Sequence, residues 1–170
     1  MKLETTEIEA LRELLLSNQN NINPTLQKLL KRMKPNFSTY KMYIDGAADL
    51  NTQTSGIGGI IYKDGEEIFT FSEYLHDLTN NEAEYSSLIH GLKSLLKLSI
   101  LNIVIYSDSE LVVKQINGEY KVKNSRMRKL YEQTHSLLVN FQKWQLLHVL
   151  RDKNTVADKL ATEGRLKNNL

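Results

Sequence analysis

Met42-Tyr-Ile-Asp-Gly-Ala-Ala48 is the stretch on which the reading of the fold turns. Tyr40, Met42 and Ile44 alternate with other positions at the period of a strand. The strand delivers one carboxylate, Asp45, into a Gly-Ala turn. Three more acids stand in the same way at the edge of an apolar element. They are Glu84 in Thr79-Asn-Asn-Glu-Ala-Glu-Tyr85, Asp108 in Ile103-Val-Ile-Tyr-Ser-Asp-Ser109, and Asp158 in Val156-Ala-Asp-Lys-Leu-Ala161. Brought together, four such acids repel one another unless divalent cations neutralise them. A site of that kind suits phosphoryl transfer on nucleic acid.

Working outward, Ile57 to Tyr62 is an apolar run containing Gly58-Gly59, and Lys63-Asp-Gly65 carries hairpin-turn chemistry before a third strand from Glu66 to about Leu75. Thr79 or Asn80 caps a long helix reaching about Leu98. A buried strand follows over Asn102 to Ser107, then a short helix from Ser109 to Asn117 ended by Gly118. The pattern predicts a helix from Ser125 to about Phe141, a last strand from Trp144 to Val149, and a last helix from Asn154 to Arg165. Three hairpin-linked strands followed by helix-linked ones predict an α/β fold, a mixed five-stranded sheet flanked by helices.

Residues 1–38 read differently. Ile8, Leu11, Leu14 and Leu15 recur at helical spacing. Asn23 offers an N-cap before Pro24, and Leu26, Leu29, Leu30 and Met33 form one face of a second short helix. Lys34 to Ser38 is a linker, because Pro35 disfavours helix at Lys34. The expectation is an N-terminal helical hairpin over 1–38 and a main domain over 39–170. Residues 1–34 are then a surface for self-association or another protein contact. Lys28, Lys31, Arg32 and Lys34 read as a solvated helix face.

Composition narrows the classes. A chain of 170 residues that is 41% hydrophobic can build one domain with a small appendage. A net charge of +2 does not by itself mark a nucleic-acid binder, so that case rests on where the charge sits. The absence of cysteine excludes disulfides and thiolate chemistry and fits a cytoplasmic setting. No apolar run approaches the ~20 residues of a membrane span, and the N-terminus lacks the pattern of a secretory signal.

With 20 acids in the chain, four need reasons. Glu84 shares a helix stripe with Leu88, Leu92 and Leu95, the side that meets the sheet, where a lone acid is costly. Glu82 falls nearer Ser86 and Lys93, on the wet side, with only a helix-dipole role. Asp45 and Asp108 each follow an apolar strand, so parallel neighbours would present both at one sheet edge. Taken singly, Asp108 is equally a helix cap and Asp45 a turn former. Asp158 borders the apolar face of the last helix. Lys114, Lys121, Lys123, Arg126, Arg128 and Lys129, around Tyr120, form either a phosphate track or a solvated face.

These segments together resemble ribonuclease H type 1 in its compact prokaryotic form, over about residues 40 to 165. The resemblance rests on Asp45-Gly46, Gly56-Ile-Gly-Gly59, Thr79-Asn80-Asn81 with Glu84, Asp108-Ser109, and Ala157-Asp-Lys-Leu-Ala161, in that order. It implies a ribonuclease H-like fold and an endoribonuclease that hydrolyses the RNA strand of RNA/DNA hybrids by a two-metal mechanism. It makes Asp45, Glu84, Asp108 and Asp158 catalytic and metal-binding, with two Mg²⁺ ions or Mn²⁺ as cofactor. It makes Thr79 a phosphate contact and Asn80 and Asn81 substrate-binding amides. Three departures stand out. The segment Leu50 to Ser55 lacks the family's turn, Glu110 replaces the usual Gln after the D-S pair, and the loop after His148 is short, so His148 takes no catalytic role. The alternative they motivate is a catalytically weak or inactive nucleic-acid-binding module. A second is another nuclease of the same superfold, such as a resolvase or exonuclease.

Overall fold

The computed structural model describes residues 22–32 and 40–167 and scattered positions between 11 and 18. The chain divides into two compact units, Met1–Ser38 and Thr39–Leu170. In the first, helix α1 spans Pro24–Arg32. Asn23 caps it, accepting from the Leu26 N–H at 2.9 Å, with Pro24 where a missing N–H costs nothing. Most of the first expected helix and the linker at 34–38 fall outside the described residues.

The second unit carries β1 (Tyr40–Asp49), β2 (Thr54–Lys63), β3 (Glu66–His76), α2 (Asn80–Lys97), β4 (Asn102–Ser107), α3 (Glu110–Ile116), α4 (Ser125–Leu138), β5 (Lys143–His148) and α5 (Thr155–Leu166). The strands form one mixed sheet in the order β3-β2-β1-β4-β5. β1 pairs antiparallel with β2 and parallel with β4, which places Ile44 beside both Gly59 and Ser107. The core lies between the sheet and α2, α3 and α4, with Met42, Ile44, Ile105, Tyr85, Leu88, Leu92 and Val112 fully buried.

Glycines set the distance between layers. A Cβ on Gly46 would lie 2.3 Å from the backbone of Ala83 and Glu84, so α2 rests directly on β1 there. A Cβ on Gly58 would lie 2.2 Å from the Ala161 nitrogen, so α5 rests on β2. Asp45 is the cross-strand partner of Gly58 and the neighbour of Gly46, so its side chain leaves the sheet on the α5 side.

One expectation needs correction. β1 does not turn at Asp45-Gly46 but runs on to Asp49, paired with β2 throughout. Gly46 serves helix approach instead of a turn.

Candidate active site

β1 and β4 run parallel and end their pairing at Ile44 and Ser107, so the next residue on each, Asp45 and Asp108, emerges at the same place. The N-cap of α3 is Ser109, whose Oγ accepts from the Val112 N–H, which releases Asp108 from capping. Glu84 arrives from α2, one turn past its cap, at the point where Gly46 admits the helix backbone. One carboxylate oxygen from each of Asp45, Glu84 and Asp108 lies within 4.8 Å of the others. Asp45 and Glu84 are only 5% and 9% exposed.

That crowding has an electrostatic signature. Burial, and then the neighbouring Asp108 charge, push the Asp45 carboxyl up to about 8. Burial, then Asp45 and Asp108, push Glu84 well above the usual carboxylate range, against a hydrogen bond from the Gly46 backbone. Glu84 Oε2 is buried with no hydrogen-bond partner among the described residues. Three converging hard oxygens, two of them disfavoured as bare anions, fit a divalent cation such as Mg²⁺ or Mn²⁺.

Asp158 stands in the first turn of α5 and lines the same open cleft of about 510 Å³, with Asp49, Asn80 and Arg165. It is outside the three-acid cluster. Its Oδ1 accepts from Arg151 Nη2 at 2.5 Å, and the same guanidinium charge pulls Asp45 downward.

The three expected substrate residues separate. Asn80 faces the acidic cleft, and its Oδ1 accepts from the Ala48 N–H at 2.8 Å. Thr79 is the N-cap of α2. Its hydroxyl donates to Glu82 Oε2 at 2.8 Å, so it is already engaged. Thr79 and Asn81 line a second cleft of about 440 Å³ with Lys121, Lys123 and Arg126. The basic track is therefore narrower than its sequence. Lys114 pairs with Glu110 at 2.6 Å and lies over the Tyr120 ring, and Arg128 Nη2 donates to the Val122 carbonyl at 2.7 Å. The Glu110 carboxylate is held below its usual range by the Lys114 hydrogen bond, so it meets the site as half of an ion pair.

Glu82 is a second correction. It is 5% exposed, not on a wet face. Its Oε2 also accepts from the Thr79 N–H at 3.0 Å and its Oε1 from Arg126 Nε at 2.6 Å. The start of α4 folds over the first turn of α2, which helical periodicity alone does not reveal. Asn154 does more than start a helix. It is buried, and its Nδ2 donates to the Ile44 carbonyl at 2.9 Å and to Asp108 Oδ1 at 3.2 Å. The one signal was an Asn four residues before Asp158, which is also what an ordinary cap looks like.

With this geometry in hand, residues 43–164 match the protein family described as Reverse transcriptase-like. The structure superposes on ribonuclease H1 of the halophilic archaeon Halobacterium salinarum with a TM-score of 0.72 at 31% identity, covering 74% of this chain and 96% of that one. The chain belongs to the ribonuclease H family. A second member of the family, LC11 ribonuclease H1, solved in complex with an RNA/DNA hybrid, gives a TM-score of 0.73 at 30% identity over 78% of this chain and all of that one. In sequence, the chain is 36% identical over 122 residues to the bifunctional protein Rv2228c of Mycobacterium tuberculosis, matching 71% of this chain and 34% of Rv2228c. The Halobacterium ribonuclease HI is 32% identical over 123 residues, 72% of this chain and 62% of the relative. The chain thus spans about a third of the length of Rv2228c and under two thirds of the archaeal protein. This ribonuclease H domain keeps the family's mixed five-stranded sheet and joins its acids at the middle of that sheet.

Proposed function

We propose that this domain hydrolyses the RNA strand of RNA/DNA hybrids, with Asp45, Glu84 and Asp108 holding divalent cations and Asp158 completing the set. The observation that carries the reading is the cluster of three carboxylates within 4.8 Å, opening into a cleft. When bound there, Mg²⁺ or Mn²⁺ would supply a Lewis acid that activates water and stabilises a leaving oxygen.

The chain's own residues do the rest. Asp45 and Glu84 are held in place by their burial and turn carboxylates into the cleft. Lys121 and Lys123, beside an Arg126 already paired with Glu82, give the neighbouring cleft a positive lining suited to a phosphate backbone. Asn81, exposed on the first turn of α2, is a neutral donor and acceptor able to meet base edges and 2′-hydroxyls without sequence preference. Thr79 contributes its position beside the basic cleft while its hydroxyl holds the turn through Glu82.

One observation favours a second reading, a module that binds hybrids but cleaves them poorly. Arg151 already neutralises Asp158. Cleavage of a labelled RNA/DNA hybrid with Mg²⁺ and separately Mn²⁺, beside duplex DNA and each single strand, separates the two. Cleavage of the hybrid's RNA strand by the wild type, lost in Asp45→Asn, is the expected result. Folded, metal-bound protein that retains hybrid without cutting it would favour the binding module. Cleavage of duplex DNA instead would point to another nuclease chemistry on this fold.

A further inference from the structure

Asn154 is 1% exposed and immediately precedes α5 at its N-cap position. An Asn there ordinarily turns its side-chain oxygen back to accept a backbone N–H of the first helical turn. This one makes no such bond, and its Oδ1 is buried without a hydrogen-bond partner among the described residues. The amide nitrogen is used elsewhere. One hydrogen goes to the Ile44 carbonyl at 2.9 Å and the other to Asp108 Oδ1 at 3.2 Å. Both facing atoms are acceptors, which fixes the nitrogen toward them.

Ile44 and Ser107 are the last pair of the β1–β4 ladder, and the two acids follow directly. The Asn154 amide therefore spans the gap just beyond that ladder. It ties the carboxylate from one strand to the backbone of the other, one residue before Asp45. α5 forgoes a side-chain cap and leaves a buried oxygen bare to keep this bridge, a local cost of the kind found at functional sites. An aspartate would fit the space but would set a carboxylate oxygen against two acceptors. A serine is too short to span both.

We propose that Asn154 is a positioning residue that fixes the Asp108 carboxylate relative to Asp45 and so sets the affinity of the acidic cluster for divalent cations. This rests on the metal-binding reading of those carboxylates. Residues that orient metal ligands typically change metal affinity or activity about 10- to 100-fold when removed.

The test uses the full chain and three readouts: calorimetric titration with Mn²⁺ alone, steady-state cleavage of a hybrid, and thermal unfolding in chelator. In Asn154→Ala and Asn154→Ser the Mn²⁺ dissociation constant is expected to rise about tenfold or more. Turnover should fall while KM for the hybrid stays within twofold, because Asn154 does not line the basic cleft. In an Asp108→Asn background the further change Asn154→Ala should leave Mn²⁺ affinity unmoved, since its effect passes through Asp108. A folded Asn154→Ser protein with wild-type Mn²⁺ affinity overturns the assignment. So does an undiminished effect of Asn154→Ala without Asp108. Loss of fold in both single variants also overturns it, placing Asn154 in the core alone. Failure of the wild type to bind Mn²⁺ would sink the metal reading and this assignment together, whereas a wild type that binds Mn²⁺ but cuts no hybrid would sink only the hydrolytic reading.

Discussion

Replacing Asp45 by Asn should make the metal-free protein clearly more stable at pH 8 and only slightly more stable at pH 5. The Asp45 carboxyl is displaced from 3.8 to about 8 by burial and by Asp108. A carboxyl whose folded value lies above its unfolded one contributes stability that is fully present below about pH 4 and lost as pH rises toward 8. At about 1.4 kcal/mol per pH unit, that displacement corresponds to about 5 kcal/mol by pH 8. This is an upper figure, because one proton shared between Asp45 and Glu84 relieves both. For a domain of this size, about 3 to 4 °C of Tm accompanies each kcal/mol, so even half of that figure should separate the curves by about 10 °C. The assay is thermal unfolding by circular dichroism in chelator from pH 5 to 8.5, wild type beside Asp45→Asn. The wild-type curve should fall away with rising pH while the variant stays flatter, and Mn²⁺ should restore the wild type at pH 8 and help the variant little. Parallel curves in chelator would refute the claim that the crowded carboxylates destabilise the empty site.

Three further outcomes follow from the same geometry. Gly46→Ala places a methyl 2.3 Å from the α2 backbone, so urea unfolding should show a loss of about 3 kcal/mol and Mn²⁺ titration a weaker site. Glu82→Gln removes the charge that Arg126 and the Thr79 cap share, which should cost about 1 to 2 kcal/mol in urea unfolding and leave Mn²⁺ affinity unchanged. Replacing Lys121 and Lys123 by Gln in an Asp45→Asn background should make the salt dependence of hybrid affinity shallower by about one logarithmic slope unit per lysine, read from binding across a salt series.

The order and type of elements were legible because each switch of hydrophobic period coincides with turn or cap chemistry, as at Lys63-Asp-Gly65 and Thr79. The meeting of Asp45 and Asp108 was also legible, since it needs only that two strands ending in an acid lie parallel. How far β1 pairs was not. β1 continues past Asp45 because β2 holds it in register to Asp49, a tertiary effect that Gly46 disguises as a turn. Glu82 was misplaced because a helical wheel shows which face meets the sheet and says nothing about α4 closing over the first turn. Arg151 beside Asp158 and the Asn154 bridge depend on where the short segment after β5 folds back, and no period in the sequence encodes that.

The place of β1 in the sheet reaches into dynamics. Over Lys41–Ile44 its backbone is bonded to β2 on one flank and β4 on the other, and α2 lies directly on Gly46. Amides of such a strand exchange with deuterium only when the whole domain opens. The strand that carries Asp45 then belongs to the last cooperative unit to unfold. Below the temperature at which the whole domain opens, chelation would silence the acids while the strand that bears them stays paired, and a returning ion would meet a site already assembled.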